Sequence, residues 1–153
     1  MRRSRQSGHA LMELALSAGV MLAFLGGTFQ FGYSFYIYNQ LVTAVGNGAR
    51  YAAQRTYRAA TPEDVERGKE AIRNLVVFGD SRPVPDAQPV IPHLRSEDVR
   101  VEWIAGASGA PEAVSVAIVT YKVDAVFGDV TMTGRPSVEF PFVGRYAPQE
   151  SEP

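Results

Sequence analysis

The sequence predicts an α+β protein: one long N-terminal helix, a second short helix and a small antiparallel sheet. Three observations carry this. No charged residue occurs from Leu14 to Ala49. Thr61-Pro62-Glu63-Asp64 is a strong helix-start signal. From Val99 onward the chain turns to alternating and β-branched runs. The 153 residues suit about one domain.

The long helix comes first. Leu14 to Tyr33 is an apolar stretch that, at about 1.5 Å per residue, spans the roughly 30 Å of a bilayer's hydrocarbon. It is too long for the roughly 7–15-residue core of a secretory signal. Phe31, Tyr33, Phe35, Tyr36 and Tyr38 follow it as an interfacial aromatic belt. Arg2, Arg3 and Arg5 lie on the other side, so the positive-inside rule puts the N-terminus in the cytoplasm and the rest outside. Glu13 opens the apolar run, where a carboxylate costs about 2.5–3.5 kcal/mol at full depth and calls for a partner or a role. Ala15, Gly19, Ala23 and Gly27 recur every fourth residue, and Ala44, Gly48 and Ala52 repeat the spacing. Such rows let helices approach closely. Leu41, Val42, Val45, Ala49 and Ala52 keep helical spacing outside the membrane, and the helix is expected over 9–59.

The second helix starts at the Thr61 cap and ends at Gly79, with Val65, Ile72, Leu75 and Val76 as its apolar stripe. Residues 80–97 read as loop, because prolines 83, 85, 89 and 92 forbid regular structure. Val99, Val101 and Trp103 alternate with Arg100 and Glu102 as a half-buried strand. Ala113 to Phe127 reads as one long or bent strand, with a tight hairpin turn at Gly128-Asp129. Val130–Thr133 and Val138–Phe142 complete a three- or four-stranded sheet, with Pro141 favouring an edge. Residues 146–153 read as a loose tail.

Composition narrows the function. Fifteen basic against sixteen acidic residues give a net charge of −1, which argues against nucleic acid as a partner. The absence of cysteine excludes thiolate catalysis, cysteine metal sites and disulfides. The only two histidines, His9 and His93, are far apart in sequence, and no spacing suggests a catalytic triad, a metal site or a nucleotide loop. The sequence therefore gives no catalytic, cofactor or metal residues.

Two motifs carry a resemblance. Gly8-His9-Ala10-Leu11-Met12-Glu13 ends a short basic leader in glycine and places a glutamate five residues later. Phe29-Gln30-Phe31-Gly32 is followed by Gln40-Leu41 and then Gly48-Ala49-Arg50-Tyr51-Ala52-Ala53. The first resembles the processing site of a type IV prepilin. The two together are similar to TadE/TadG-like minor pilins of tight-adherence (Tad, or Flp) systems, with Phe31, Gly32, Gly48, Ala49, Arg50 and Tyr51 as the family motif. Leu14 and Ala18-Gly19 stand where the family more often has phenylalanine and proline.

The resemblance implies a cleaved leader (1–8), a long N-terminal helix (9–59, about 14–33 in the membrane), an extracytoplasmic pilin-like domain (60–146) and a tail (147–153). It implies cleavage between Gly8 and His9 by prepilin peptidase, pairing of Glu13 with the new terminal amine during assembly, and residence in the inner membrane. The implied partners are the peptidase, other pilins and minor pilins, the Tad assembly platform and the lipid bilayer. The alternative is a single-pass membrane-anchored periplasmic binding domain that is not processed.

Overall fold

The computed structural model describes residues 4–55, 57–58, 61–107, 110–124 and 128–147. It is an α+β fold in which one helix does two jobs. Helix α1 runs from Ser4 to Gln54, 51 residues, or about 76 Å at 1.5 Å per residue. Its N-terminal part stands clear of the rest of the chain. Its C-terminal part, from Ile37 to Ala53, is the spine of the domain. Ile37, Leu41, Val45, Ala49, Ala52 and Ala53 are buried along one stripe, as the 3.6-residue period demands.

Helix α2 (Pro62–Phe78) crosses that spine. The Thr61 hydroxyl accepts from the Asp64 amide at 3.1 Å, Pro62 occupies the first turn, and Gly79 ends the helix at φ +75°, as glycine does at a left-handed cap. Ile72, Val76 and Val77 are buried. Val77 lies just off the stripe read from the sequence, which has Val76 as its last member. The two helices meet at Gly48, where a Cβ would overlap Val76 and sit 3.6 Å from Ile72.

The strands are β1 (Tyr57–Arg58), β2 (Val99–Ala105), β3 (Pro111–Ile118), β4 (Thr120–Val123), β5 (Val130–Thr133), β6 (Ser137–Pro141) and β7 (Tyr146–Ala147). β2, β3 and β6 form an antiparallel sheet with β3 in the centre. Its Val114, Val116 and Ile118 are fully buried against α1 and the neighbouring strands. Pro141 falls on the edge strand β6, where its missing N–H costs no ladder bond.

Four features differ from the sequence reading. The expected single strand over 113–127 breaks at Val119. The Val119 amide donates to the Asp98 carbonyl at 2.7 Å, and the Gly134 amide donates to the Val119 carbonyl at 2.9 Å. β4 then leaves β3's sheet and pairs only with β5. The β4–β5 connection is not a tight turn, because Val123 pairs with Val130 and leaves residues 124–129 between them. The far end of the expected strand, 125–127, lies outside the described residues.

Helix α1 ends at Gln54, short of residue 59, because the returning C-terminal segment stops it. The Val143 amide donates to the Ala53 carbonyl at 2.9 Å, and Gly144 lies so close to the Arg55 carbonyl that a Cβ would overlap it. Finally, the expected tail begins as a strand, since β7 pairs in parallel with β1. The rest of it, 148–153, lies outside the described residues.

Candidate assembly helix

The feature that stands apart is the bare half of α1. Fourteen large apolar side chains between Leu11 and Tyr36 are exposed, among them Phe24 at 74% and Phe31 at 69%. Covering a side chain of this size is worth about 1.5–3 kcal/mol. The sum is on the order of 20 kcal/mol, more than the roughly 5–15 kcal/mol that holds a domain folded. Nothing among the described residues covers this surface, which calls for a cover from elsewhere. The helix is long and apolar enough to cross a membrane, and none of its most apolar stretch is buried inside the protein. It fits a single-pass membrane anchor.

One polar group in this stretch has a local solution. The Thr28 hydroxyl donates to the Phe24 carbonyl at 2.9 Å, one turn back, so it needs no partner from outside the helix. Glu13 is different. It is exposed and has no hydrogen-bond or ion-pair partner among the described residues. Gly8 and His9 are exposed on the same helix, and His9 lies four residues before Glu13, on its face.

The small-residue row divides in two. Ala15, Gly19 and Ala23 are exposed and Gly27 is partly covered. A Cβ on Gly19 or Gly27 would meet nothing within 4 Å, so no contact among the described residues requires glycine there. Ala44, Gly48 and Ala52 lie within the domain: Gly48 receives α2, Ala52 is buried and Ala44 packs against the core. The same spacing serves the chain's own packing in one half and meets no packing partner among the described residues in the other.

The Phe-Gly and Gly-Ala-Arg-Tyr runs separate in the same way. Phe31 and Gly32 are exposed on the bare part. Gly48 and Ala49 are buried. The Arg50 guanidinium lies 5.7 Å from the Phe140 ring centre, which ties α1 to β6, and the Arg55 guanidinium lies 4.6 Å from the Tyr51 ring centre. The Tyr51 hydroxyl is enclosed without a hydrogen-bond partner among the described residues.

Tyr51 and Arg55 also line an open groove of about 810 Å3 between the end of α1, the outer face of α2 and residues 81–83. Composition and spacing do not reveal this groove, because residues distant in sequence build it. Its lining mixes Arg67, Arg82, Asp64 and Glu70 with Trp103. His93 is exposed on the loop after α2 at φ +63°. Among the described residues no three His, Asp or Glu side chains gather to hold a metal ion.

A family model described as TadE-like protein matches residues 8–50. Residues 8–50 are thus similar to that family. The matched stretch takes in Gly8, His9, Glu13, the bare half of α1 and the helix down to Arg50. It is consistent with a TadE-like Tad-pilus protein. It covers under a third of the chain and none of α2 or the sheets. No curated protein and no solved structure matches the chain.

Proposed function

We propose that this chain is a structural assembly subunit, a minor pilin or pseudopilin of a Tad-type type IV pilus. It is held in the inner membrane by α1 with its N-terminus in the cytoplasm, cut between Gly8 and His9 by prepilin peptidase, and packed through α1 into or at the end of a filament serving adhesion or secretion. The observation that carries this reading is the bare apolar half of α1, with a glutamate at its start and a small-residue row that none of the described residues packs against. In a bilayer, lipid covers that surface. In a filament, the α1 helices of neighbouring subunits replace the lipid, and Gly19 and Gly27 let them approach closely.

Glu13 gains its role at that exchange. Cleavage creates an ammonium at His9, and a carboxylate and an ammonium leaving water are each stabilised by the other. Before cleavage, Gly8 lies within α1, which begins at Ser4. Glycine weakens a helix by nearly 1 kcal/mol relative to alanine, which favours local opening at the bond to be cut.

Glu13→Ala tests the reading in cells that assemble the filament. The variant inserts in the membrane and is processed, but is lost from sheared filaments. A variant incorporated as well as the wild type contradicts the proposal.

The groove beside Tyr51 favours a second reading, a membrane-anchored binding domain that is not processed. That protein works with Glu13→Ala and with the leader in place.

A further inference from the structure

The Gln30 side chain donates to the Gly128 carbonyl at 2.8 Å. Gly128 belongs to the connection between β4 and β5, so this bond fixes how far that hairpin hangs down along α1. The domain core begins at Ile37, seven residues further along the helix, or about 10 Å at 1.5 Å per residue. Gly128 therefore lies about 10 Å below the core, beside helix residues whose other sides carry the exposed Phe29 and Phe31.

This placement conflicts with a hydrocarbon span of Leu14–Tyr33. In that register Gly128 and its neighbour Asp129 lie about 4.5 Å below the top of the hydrocarbon. The described residues on either side of 125–127 include charged ones: the Lys122 amine is 2.6 Å from Asp129 and 3.9 Å from Asp124, and all three side chains are about half exposed or more. Exposed charges do not stay in lipid tails. Their level suits the headgroup layer. One ammonium flanked by two carboxylates also offers both signs, which matches the phosphate and ammonium of a zwitterionic phospholipid better than a purely anionic surface.

We propose that the β4–β5 hairpin is a depth stop: Asp124, Gly128 and Asp129 sit among zwitterionic phospholipid headgroups on the outer face of the membrane, and the Gln30–Gly128 bond sets the hydrocarbon span at about Leu11–Gln30. This rests on the single-pass anchor reading. Two consequences follow. Phe31, Tyr33, Phe35 and Tyr36 move from the hydrocarbon edge into the headgroup layer, where aromatic rings are favoured. Glu13 moves to about 3 Å inside the opposite boundary, which strengthens its need for a partner.

The absence of cysteine makes the test direct, since each introduced thiol is unique. Val130→Cys places an environment-sensitive fluorophore beside the hairpin end, Leu22→Cys in mid-span, and Glu63→Cys at the start of α2, next to β1 and the far end of α1. The full chain is reconstituted in phosphatidylcholine vesicles carrying quenchers in the headgroup or deep in the acyl chains. The expected result is deep quenching at position 22, headgroup quenching at 130 and neither at 63, with Gln30→Ala reducing headgroup quenching at 130 severalfold. Position 130 as unquenched as 63, or quenched as deeply as 22, overturns the depth stop while leaving the anchor intact. Failure of deep quenching at 22 overturns the anchor reading, and the depth stop with it.

Discussion

Replacing Gly48 by alanine tests the packing that joins the two helices. A methyl at this position overlaps Val76 Cγ2 and sits 3.6 Å from Ile72. Two effects oppose each other. Alanine is favoured over glycine in a helix by about 0.8–1 kcal/mol. Forcing one carbon into a filled contact costs about 1–3 kcal/mol, and Val76 is only 1% exposed with no room to retreat. The overpacking term wins, and Gly48→Ala is expected to destabilise the domain by about 1 kcal/mol. Denaturant unfolding of the detergent-solubilised chain measures this. Trp103 is the sole tryptophan and packs edge-on against Phe142 at 5.8 Å, so its fluorescence reports the domain. Val76→Ala opens the space the new methyl needs, and the double variant should recover about 1 kcal/mol relative to additivity. Gly19→Ala is the reference, because a Cβ there meets nothing within 4 Å. Its domain unfolding should match the wild type. A Gly48→Ala protein more stable than the wild type by the helix-propensity term alone would refute the contact.

Three further outcomes are expected. Tyr121→Phe removes the 2.6 Å bond from the phenol to the Pro92 carbonyl and should cost about 1–2 kcal/mol in the same unfolding assay. Thr61→Ala deprives the Asp64 amide of its cap and should cost about 0.5–2 kcal/mol, with early loss of helix α2 by hydrogen exchange. Alkaline pH should weaken the fold. Burial pushes the Tyr121 phenol above its usual value, and the hydrogen bond to Asp129 does the same for the Lys122 amine. A group raised on folding contributes stability that is complete below its unfolded pKa, about 10 for both. That stability is lost as pH rises through the folded value. Denaturation midpoints should therefore fall above about pH 10, and fall less in Tyr121→Phe, as a pH series of unfolding curves would show.

Helix α2 was legible because its signals are local. The Thr61 cap, Pro62 and Gly79 each act within one turn, and both ends fall where those residues place them. The end of α1 was not legible, because Val143 and Gly144, about ninety residues further on, impose it. The break at Val119 is hidden for the same reason. Val116 to Val123 reads as continuous strand, while Asp98 and Gly134, which interrupt it, are remote in sequence. At the candidate site, spacing located both small-residue rows. Spacing could not tell that Gly48 faces a helix of its own chain while Gly19 faces nothing, since α2's crossing point is a tertiary fact. The Gln30–Gly128 bond was equally out of reach. A glutamine in an apolar stretch says only that a partner is needed.

On the proposed function, cleavage of a prepilin frees α1 for assembly. The intact mass and N-terminal residue of the protein from a membrane fraction, with and without a co-expressed Tad-type prepilin peptidase, test it most directly. The expected result is a chain beginning at His9 only when the peptidase is present. A chain still carrying residues 1–8 beside an active peptidase would contradict it and leave α1 as a plain membrane anchor.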